Sequence, residues 1–267
     1  MDLPIIMNTN YNYMKKLILI FVSLCFVACV NNDRVAPEVG LGLNVPEDLE
    51  LYYATLKLTQ DNEENYDALR KLTVDNHTNI LSYGRRHDYL YNADEDLSNP
   101  DNVTLMYTGE SRYWEEYTSS SNDYNPQTFN TEHVYPQSLL RLSDAVTDLH
   151  HLRSVDADVN SDRSNLPFVD GSGANQRIGD GWYPGDEWKG DVARMILYLN
   201  VRYREKIEKV GTAELFLKWN VEDPVSAFEM QRNEVIFSAQ GNRNPFIDNP
   251  YLATLIWGGD AAENKWE

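Results

Sequence analysis

The sequence predicts an α+β domain, mainly helical, built around one small strand–strand–helix unit. Three observations carry this. Apolar residues recur at helical spacing over 47–91 and again over 191–238, whereas strand-like alternation is confined to short runs. The stretch from Phe129 to Pro167 holds two such runs followed by a helix start signal. No P-loop, Gly-rich dinucleotide signature or Cys-based zinc pattern occurs elsewhere, so chemistry-bearing side chains concentrate in that one stretch.

Taken in order, residues 14–29 (M-K-K-L-I-L-I-F-V-S-L-C-F-V-A-C) join a basic start to an apolar run and a small residue before Cys29. This is the pattern of a secretory signal, too short for an ordinary spanning helix. Met14 is a candidate true start. Ala28-Cys29 matches the end of a bacterial lipoprotein signal with Cys29 lipidated, although Phe26 stands where leucine is usual; a plain signal peptide is the alternative. Both cysteines lie in this segment, so the mature protein is expected to hold no internal disulfide. Residues 30–46, with Asn31-Asn32-Asp33, Pro37 and two glycines, read as a tether.

Two or three helices follow over 47–91, marked by Leu49, Tyr52, Tyr53 and Leu56, then Leu69, Leu72, Ile80, Leu81 and Tyr83. His77 and His87, outside any cluster, are expected to be satisfied or surface residues. N-V-T-L-M-Y at 102–107 predicts a strand, and 119–126 a flexible loop. Tyr113, Trp114 and Tyr117 either pack inward or offer stacking platforms to bases, packing being the commoner fate. Phe129 to Val134 alternates bulky and polar residues as a strand does, and Pro136 ends it. Leu149 to Val155 is a second short run. A helix then starts at Asp156 or Ala157 with Asp156 as N-cap, and stops by Leu166 because Pro167 disfavours helical backbone before it. Residues 169–190 read as an irregular glycine-rich loop, and 191–209 as an amphipathic helix with Val192, Met195, Ile196, Leu199 and Tyr203 on its apolar face. Helices over 213–219 and 224–238 and a closing segment from Asn244 complete the chain.

The central stretch reads F-N-T-E-H-V-Y-P-Q-S, D-L-H-H-L-R-S-V-D-A-D-V-N, S-D-R-S-N-L-P. It gathers Glu132, His133, His150 and Asn160. Hydrolysis of a phosphodiester needs an activated water, a cation beside the scissile phosphate and stabilisation of the leaving oxygen. Histidine suits general-base work at neutral pH, and a carboxylate with a side-chain amide are hard oxygen ligands of the kind Mg²⁺ or Ca²⁺ accepts. Successive strand residues point to opposite faces, so bringing Glu132 and His133 to one site calls for a bend or bulge at Val134-Tyr135-Pro136. A nearby cation would lower the His133 pKa while Glu132 and Asp148 would raise it. The residue types alone equally fit a structural histidine beside solvated acids.

At N-T-E-H-V-Y-P-Q-S (130–138), D-L-H-H-L (148–152) and D-V-N-S-D-R-S-N (158–165) the chain resembles the bacterial endonuclease I family. The likeness extends to G-D-V-A-R-M-I-L-Y-L, W-N-V-E-D-P-V and R-N-E-V-I-F-S-A-Q-G-N-R-N-P-F-I, covering about Tyr107 to Trp257. The resemblance implies secreted or periplasmic nucleases with a ββα-metal (His-Me) finger, here at about 129–167 within a single nuclease domain at 47–267. It implies His133 as general base and Glu132 and Asn160 as ligands of one Mg²⁺, with Ca²⁺ or Mn²⁺ as alternates. Arg163 and Arg194 become candidates for holding a phosphate oxygen. The implied partner is DNA, RNA or both, cut with little regard to sequence by a monomer that meets a membrane only through a lipid anchor. The implied location is the outer membrane, the periplasm or the exterior.

Charge pulls the other way. Twenty-three Lys and Arg stand against 42 Asp and Glu, a net −19 that repels a polyanion and argues against tight, salt-insensitive binding. A cation and local arginines can invert the potential at one site. Two competing readings remain at this stage. One is a surface lipoprotein module that binds nucleic acid without turnover. The other is a zinc hydrolase using His133, His150 and His151, which lacks any H-E-x-x-H spacing.

Overall fold

The computed structural model describes residues 39–266. The leader over 1–29, Cys29 and the first part of the tether lie outside the described residues. The rest of the expected tether does not behave as one. Val39, Leu43 and Val45 are buried in the main core, and Asn44 N–H donates to the Trp266 carbonyl. The domain thus begins by residue 39, because apolar side chains too few to show periodicity still find a core to fill.

Helices α1 (Glu50–Tyr53), α2 (Asn62–Asp75) and α3 (His87–Ala93) follow. α2 is capped by Asp61, whose carboxylate accepts from the N–H groups of Glu63 and Glu64. Ile80 and Tyr83 fall in the connection between α2 and α3, not in a helix. Strands β1 (Glu95–Asp96), β2 (Asn99–Thr104) and β3 (Ser111–Tyr113) form a small antiparallel sheet, so the strand expected at 102–107 starts and ends earlier. Tyr113, Trp114 and Tyr117 are half-buried. Tyr91 stacks on Tyr117 and touches Trp114 and Phe129, which assigns this cluster chiefly to packing.

Strand β4 (Phe129–His133) pairs antiparallel with β5 (Leu152–Asp156), and helix α4 (Ala157–Arg163) packs across both. Asp156 caps α4 as expected, accepting from Asp158 and Val159 N–H. Residues 149–151 form a 3₁₀ turn instead of the start of the second strand. The expected irregular loop contains a hairpin, β6 (Gln176–Ile178) with β7 (Gly181–Tyr183).

Helix α5 (Lys189–Tyr203) is the axis of the domain. The reading of one apolar face is corrected: Asp191, Ala193, Arg194, Leu197 and Tyr198 are buried as well as the expected residues. Polar residues survive inside because they pair, not because they face water. Helices α6 (Ala213–Glu222), α7 (Ala227–Gln240), α8 (Pro245–Asp248) and α9 (Tyr251–Trp257) follow, and α2, α6 and α8 pack on it. α7 opens on a capping box between Ser226 and Glu229 and closes on Gly241 at φ +88°. A Cβ on Gly241 would sit 2.5 Å from the Thr78 hydroxyl, so a side chain is excluded twice over.

Candidate active site

A cleft of about 440 Å³ opens at the end of the β4–β5–α4 unit. Its walls include Glu132, His133 and Asn160, joined by Thr131, Gln137, Ser138, Ser164 and Asn165. The three side chains expected to share a site therefore do so.

No bulge is needed. β4 pairs with β5 in continuous register through His133 opposite Leu152. The two side chains leave opposite faces of the strand, Glu132 toward Tyr107 and Arg163, His133 toward His151 and Val146. The cleft crosses the strand's end, where the chain turns at Pro136 into a 3₁₀ turn, and so meets both faces.

Glu132 is 3% exposed. Its Oε1 accepts from the Tyr107 hydroxyl at 3.0 Å and lies 2.9 Å from Arg163 Nε, an ion pair in which the N–H is not aimed at the oxygen. Burial pushes its carboxyl up to about 7, more than Arg163 and Tyr107 pull it down. The site is thus short of positive charge around a buried carboxylate. Asn160 is held from α4 by its amide nitrogen, which donates to Asn130 Oδ1 at 2.5 Å and to the Thr131 carbonyl at 3.4 Å. With the nitrogen committed, Oδ1 is the atom left for a ligand. A carboxylate short of positive charge and a pre-set amide oxygen fit a hard cation.

His133 is 8% exposed, and its Nε2 lies 3.0 Å from the Val146 carbonyl. A carbonyl only accepts, so Nε2 carries the proton and Nδ1 the lone pair. Burial pushes the His133 pKa down to about 3, with His151 and Arg86 adding to the effect. The balance expected to involve Asp148 does not arise, because Asp148 is turned to His150, Tyr198, Tyr203 and Gln240. His133 is therefore a neutral imidazole across the whole neutral range.

Both arginine expectations are corrected. Arg163 is 0% exposed beneath the cleft, where it faces Glu132 and donates to the carbonyls of Val134 and Ser164. It braces the carboxylate and cannot also grip a phosphate. Arg194 is likewise 0% exposed and makes a bidentate pair with Glu229, with further bonds to Asn220 and the Asp223 carbonyl. Its donors are used inside the core.

The zinc reading finds no cluster of ligands among the described residues to support it. Nε2 of His150 goes to the Asn242 carbonyl and Nε2 of His151 to the Ala145 carbonyl. Among the described residues no trio of His, Cys, Asp or Glu converges on a metal position. His77 sits near Asp148, and His87 bonds Tyr91, so neither is a free ligand.

Residues behind the cleft support it: Tyr107 and Asn130, to which the sequence reading gave no role, and Arg163, to which it gave another. Ser164, the C-cap of α4, stands in the left-handed region at φ +53°, unusual for a residue with a side chain. No sequence signal marked Ser164, whereas Tyr107 closed the predicted strand run and could have been suspected.

Comparison with known proteins shows the family. Residues 64–251 match the family model described as Endonuclease I. The chain is 37% identical over 258 residues to an extracellular ribonuclease of Bacillus amyloliquefaciens, covering 86% of each chain. It is 40% identical over 210 residues to an extracellular ribonuclease of Bacillus subtilis, covering 69% of this chain and 71% of the relative. A periplasmic deoxyribonuclease of Aeromonas hydrophila matches at 30% over 112 residues, 38% of this chain and 47% of that one. The chain belongs to the endonuclease I family, and it is an endonuclease.

Proposed function

We propose that this protein is a metal-dependent, largely sequence-nonspecific endonuclease of RNA and DNA that works outside the cytoplasm. The observation that carries the reading is the convergence of Glu132, Asn160 and His133 on one cleft from a strand–strand–helix unit, as a ββα-metal finger would require. The acidic chain and a cleft lined by no Lys or Arg leave the phosphate charge to be met largely by a cation.

Glu132 and Asn160 would hold a Mg²⁺-type ion, which when bound supplies Lewis-acid stabilisation of charge on the phosphate and the departing 3′-oxygen. His133 does the proton work. Its Nε2–H, fixed on Val146, orients the ring so that Nδ1 takes a proton from the attacking water. A neutral imidazole at neutral pH is ready for that role without first losing a proton. Arg163 and Tyr107 hold Glu132 in place. In-line attack then leaves a 5′-phosphate and a 3′-hydroxyl.

Sugar tolerance rests on the names of relatives, ribonucleases among the longest matches and deoxyribonucleases among the shorter ones. Their extracellular or periplasmic names and the leader over 14–29 support export, with Cys29 the proposed lipid attachment. Among the described residues no helix is long and apolar enough to cross a membrane. The experiment is incubation of the purified mature domain with plasmid and with RNA, with and without chelator. Cutting of both that chelator abolishes is expected; undiminished cutting in excess chelator would remove the metal from the reaction.

A further inference from the structure

The polar side chains around the cleft fall into two groups. Those behind it are committed: Asn160 donates to Asn130, and Tyr107 and Arg163 face Glu132. Those along its rim are not. The 3₁₀ turn Gln137–Leu139 follows straight after β4 and Pro136, and it brings Gln137 and Ser138 to the cleft. The end of α4 brings Ser164 and Asn165. All four are exposed, and among the described residues none of their side chains makes a hydrogen bond. All four are also uncharged, and each carboxamide offers an NH₂ group of free donors.

A polynucleotide brings a negative charge with every nucleotide. The cleft, about 440 Å³, is of the size that takes a drug-sized molecule, so it admits more than the one phosphate being cut. No Lys or Arg lines it to meet a neighbouring phosphate. Carboxamide donors serve nucleic acids in two ways, on phosphate oxygens or on base edges. Reading a base edge needs a side chain locked at one angle by partners of its own. Gln137 and Asn165 have no such partner. A phosphate's non-bridging oxygens accept from many directions, and an unlocked amide suits them.

We propose that the carboxamides of Gln137 and Asn165 hold non-bridging oxygens of the substrate phosphate next to the one being cut, the work expected of Arg163 and Arg194. The inference rests on the nuclease reading above and deepens it. Both are binding residues in this account and move no proton. Contacts of this kind fix the strand in register and read no sequence. They also suit an acidic chain, because a neutral donor grips a phosphate without adding a surface cation.

The test uses tetrathymidylate and the intact mature protein in chelator, so that neither metal nor turnover enters. Weak binding is read by NMR as movement of the Gln137 and Asn165 side-chain amide signals. Each signal is assigned by its absence from Gln137→Glu or Asn165→Asp. Millimolar tetrathymidylate should move both. The same tetramer with methylphosphonate linkages keeps the sugars and bases without the charge, and it should move neither. Gln137→Glu and Asn165→Asp keep the side-chain shape but turn donors into a carboxylate that repels phosphate. With Mg²⁺ and a short oligonucleotide, each should raise KM about tenfold with kcat changed less than about threefold. Equal movement with the methylphosphonate would make these residues readers of sugar or base and overturn the proposal. So would motionless signals with the phosphodiester, or an unchanged KM in both variants. Wild-type amide signals that respond to the phosphodiester in a protein that cuts no nucleic acid would instead overturn the nuclease reading and leave the phosphate site standing.

Discussion

Two buried carboxylates of the same unit have opposite fates. Asp148 accepts from the His150 backbone N–H, the Gln240 amide and the hydroxyls of Tyr198 and Tyr203, with His77 Nδ1 at 3.8 Å. Burial works to raise its pKa, but His150, His77, Gln240 and Tyr198 overturn that and hold it below the ordinary carboxylate range. Glu132 has one hydroxyl and one arginine, and burial wins, pushing it up to about 7. The first carboxylate is saturated by its own protein and serves the fold. The second is left short of positive charge, as the proposed role of cation ligand would require.

The largest effect that sharpens this contrast falls on turnover. His133→Ala should cut the rate by about 10² to 10⁴, the usual range for a positioned base, while leaving Mg²⁺ binding intact by calorimetry. Glu132→Ala should lose Mg²⁺ affinity and turnover together. If His133→Ala cut within a few-fold of wild type, the base would lie elsewhere, and the buried His150, closed off by Asn242 and Tyr198, would be a poor substitute.

Stability should move the other way round. Asp148→Ala strands the donors of Gln240, Tyr198 and Tyr203 in the interior and should cost about 3 kcal/mol or more, read by denaturant unfolding. Glu132→Gln keeps an acceptor for Tyr107 and leaves Arg163 its bonds to the Val134 and Ser164 carbonyls, so its cost, set by the lost charge facing Arg163, should be smaller. Equal losses from the two substitutions would erase the distinction between the carboxylates.

The distinction was only partly readable from sequence. Short-range signals were legible: the alternation of β4 and the Asp156 cap of α4 rest on residues within a turn of one another. The residues proposed to carry the site, Glu132, His133 and Asn160, were singled out through a family likeness, since spacing alone left a structural histidine open. What failed was everything set by distant partners. A sequence shows that Arg194 is charged but hides that Glu229, on another helix, consumes its donors. It shows polar residues on α5 and invites an amphipathic reading, although Asp191 and Arg194 are interior. Val39, Leu43 and Val45 looked like linker because their burial depends on the far end of the chain.

Protons give a third comparison. The Glu132 carboxyl moves from 4.5 to about 7 in the folded metal-free protein, so at pH 6 it is largely protonated. A cation must displace that proton, so Mg²⁺ affinity should weaken about tenfold per pH unit below 7 and level off above it. Calorimetry in buffers of different ionisation enthalpy should count about one proton released at pH 6 and none at pH 8.5. The histidines are shifted in the opposite direction. His150 and His87 fall from 6.5 to about 4, so both stay neutral when folded and charge when unfolded. Their contribution is complete above about 6.5 and is lost as pH falls toward 4. Chelated protein should therefore lose melting temperature across that window. A flat profile there would mean that the buried histidines are as basic as free ones.

The smallest expected effect separates a strained residue of the cleft from the relaxed helix it terminates. Ser164 follows α4 at φ +53° and ψ −129°, a conformation glycine reaches freely and serine does not. Its N–H still bonds the Asn160 carbonyl, and its own carbonyl accepts from Arg163, so the backbone is pinned on both sides by residues of the site. Relief of that strain by Ser164→Gly should stabilise the fold by about 1 kcal/mol, reduced by the greater freedom of glycine in the unfolded chain. Ser161, exposed within α4 and bonded to the Ala157 carbonyl, is the control: glycine there should destabilise by a similar amount. If Ser164→Gly gains stability and also loses activity, the side chain is held strained because the cleft uses its hydroxyl. If it gains stability with activity unchanged, the strain comes only from pinning Asn160 and Arg163 in place. A loss of stability would show that the backbone there is relaxed and that the cleft stores no strain at this residue.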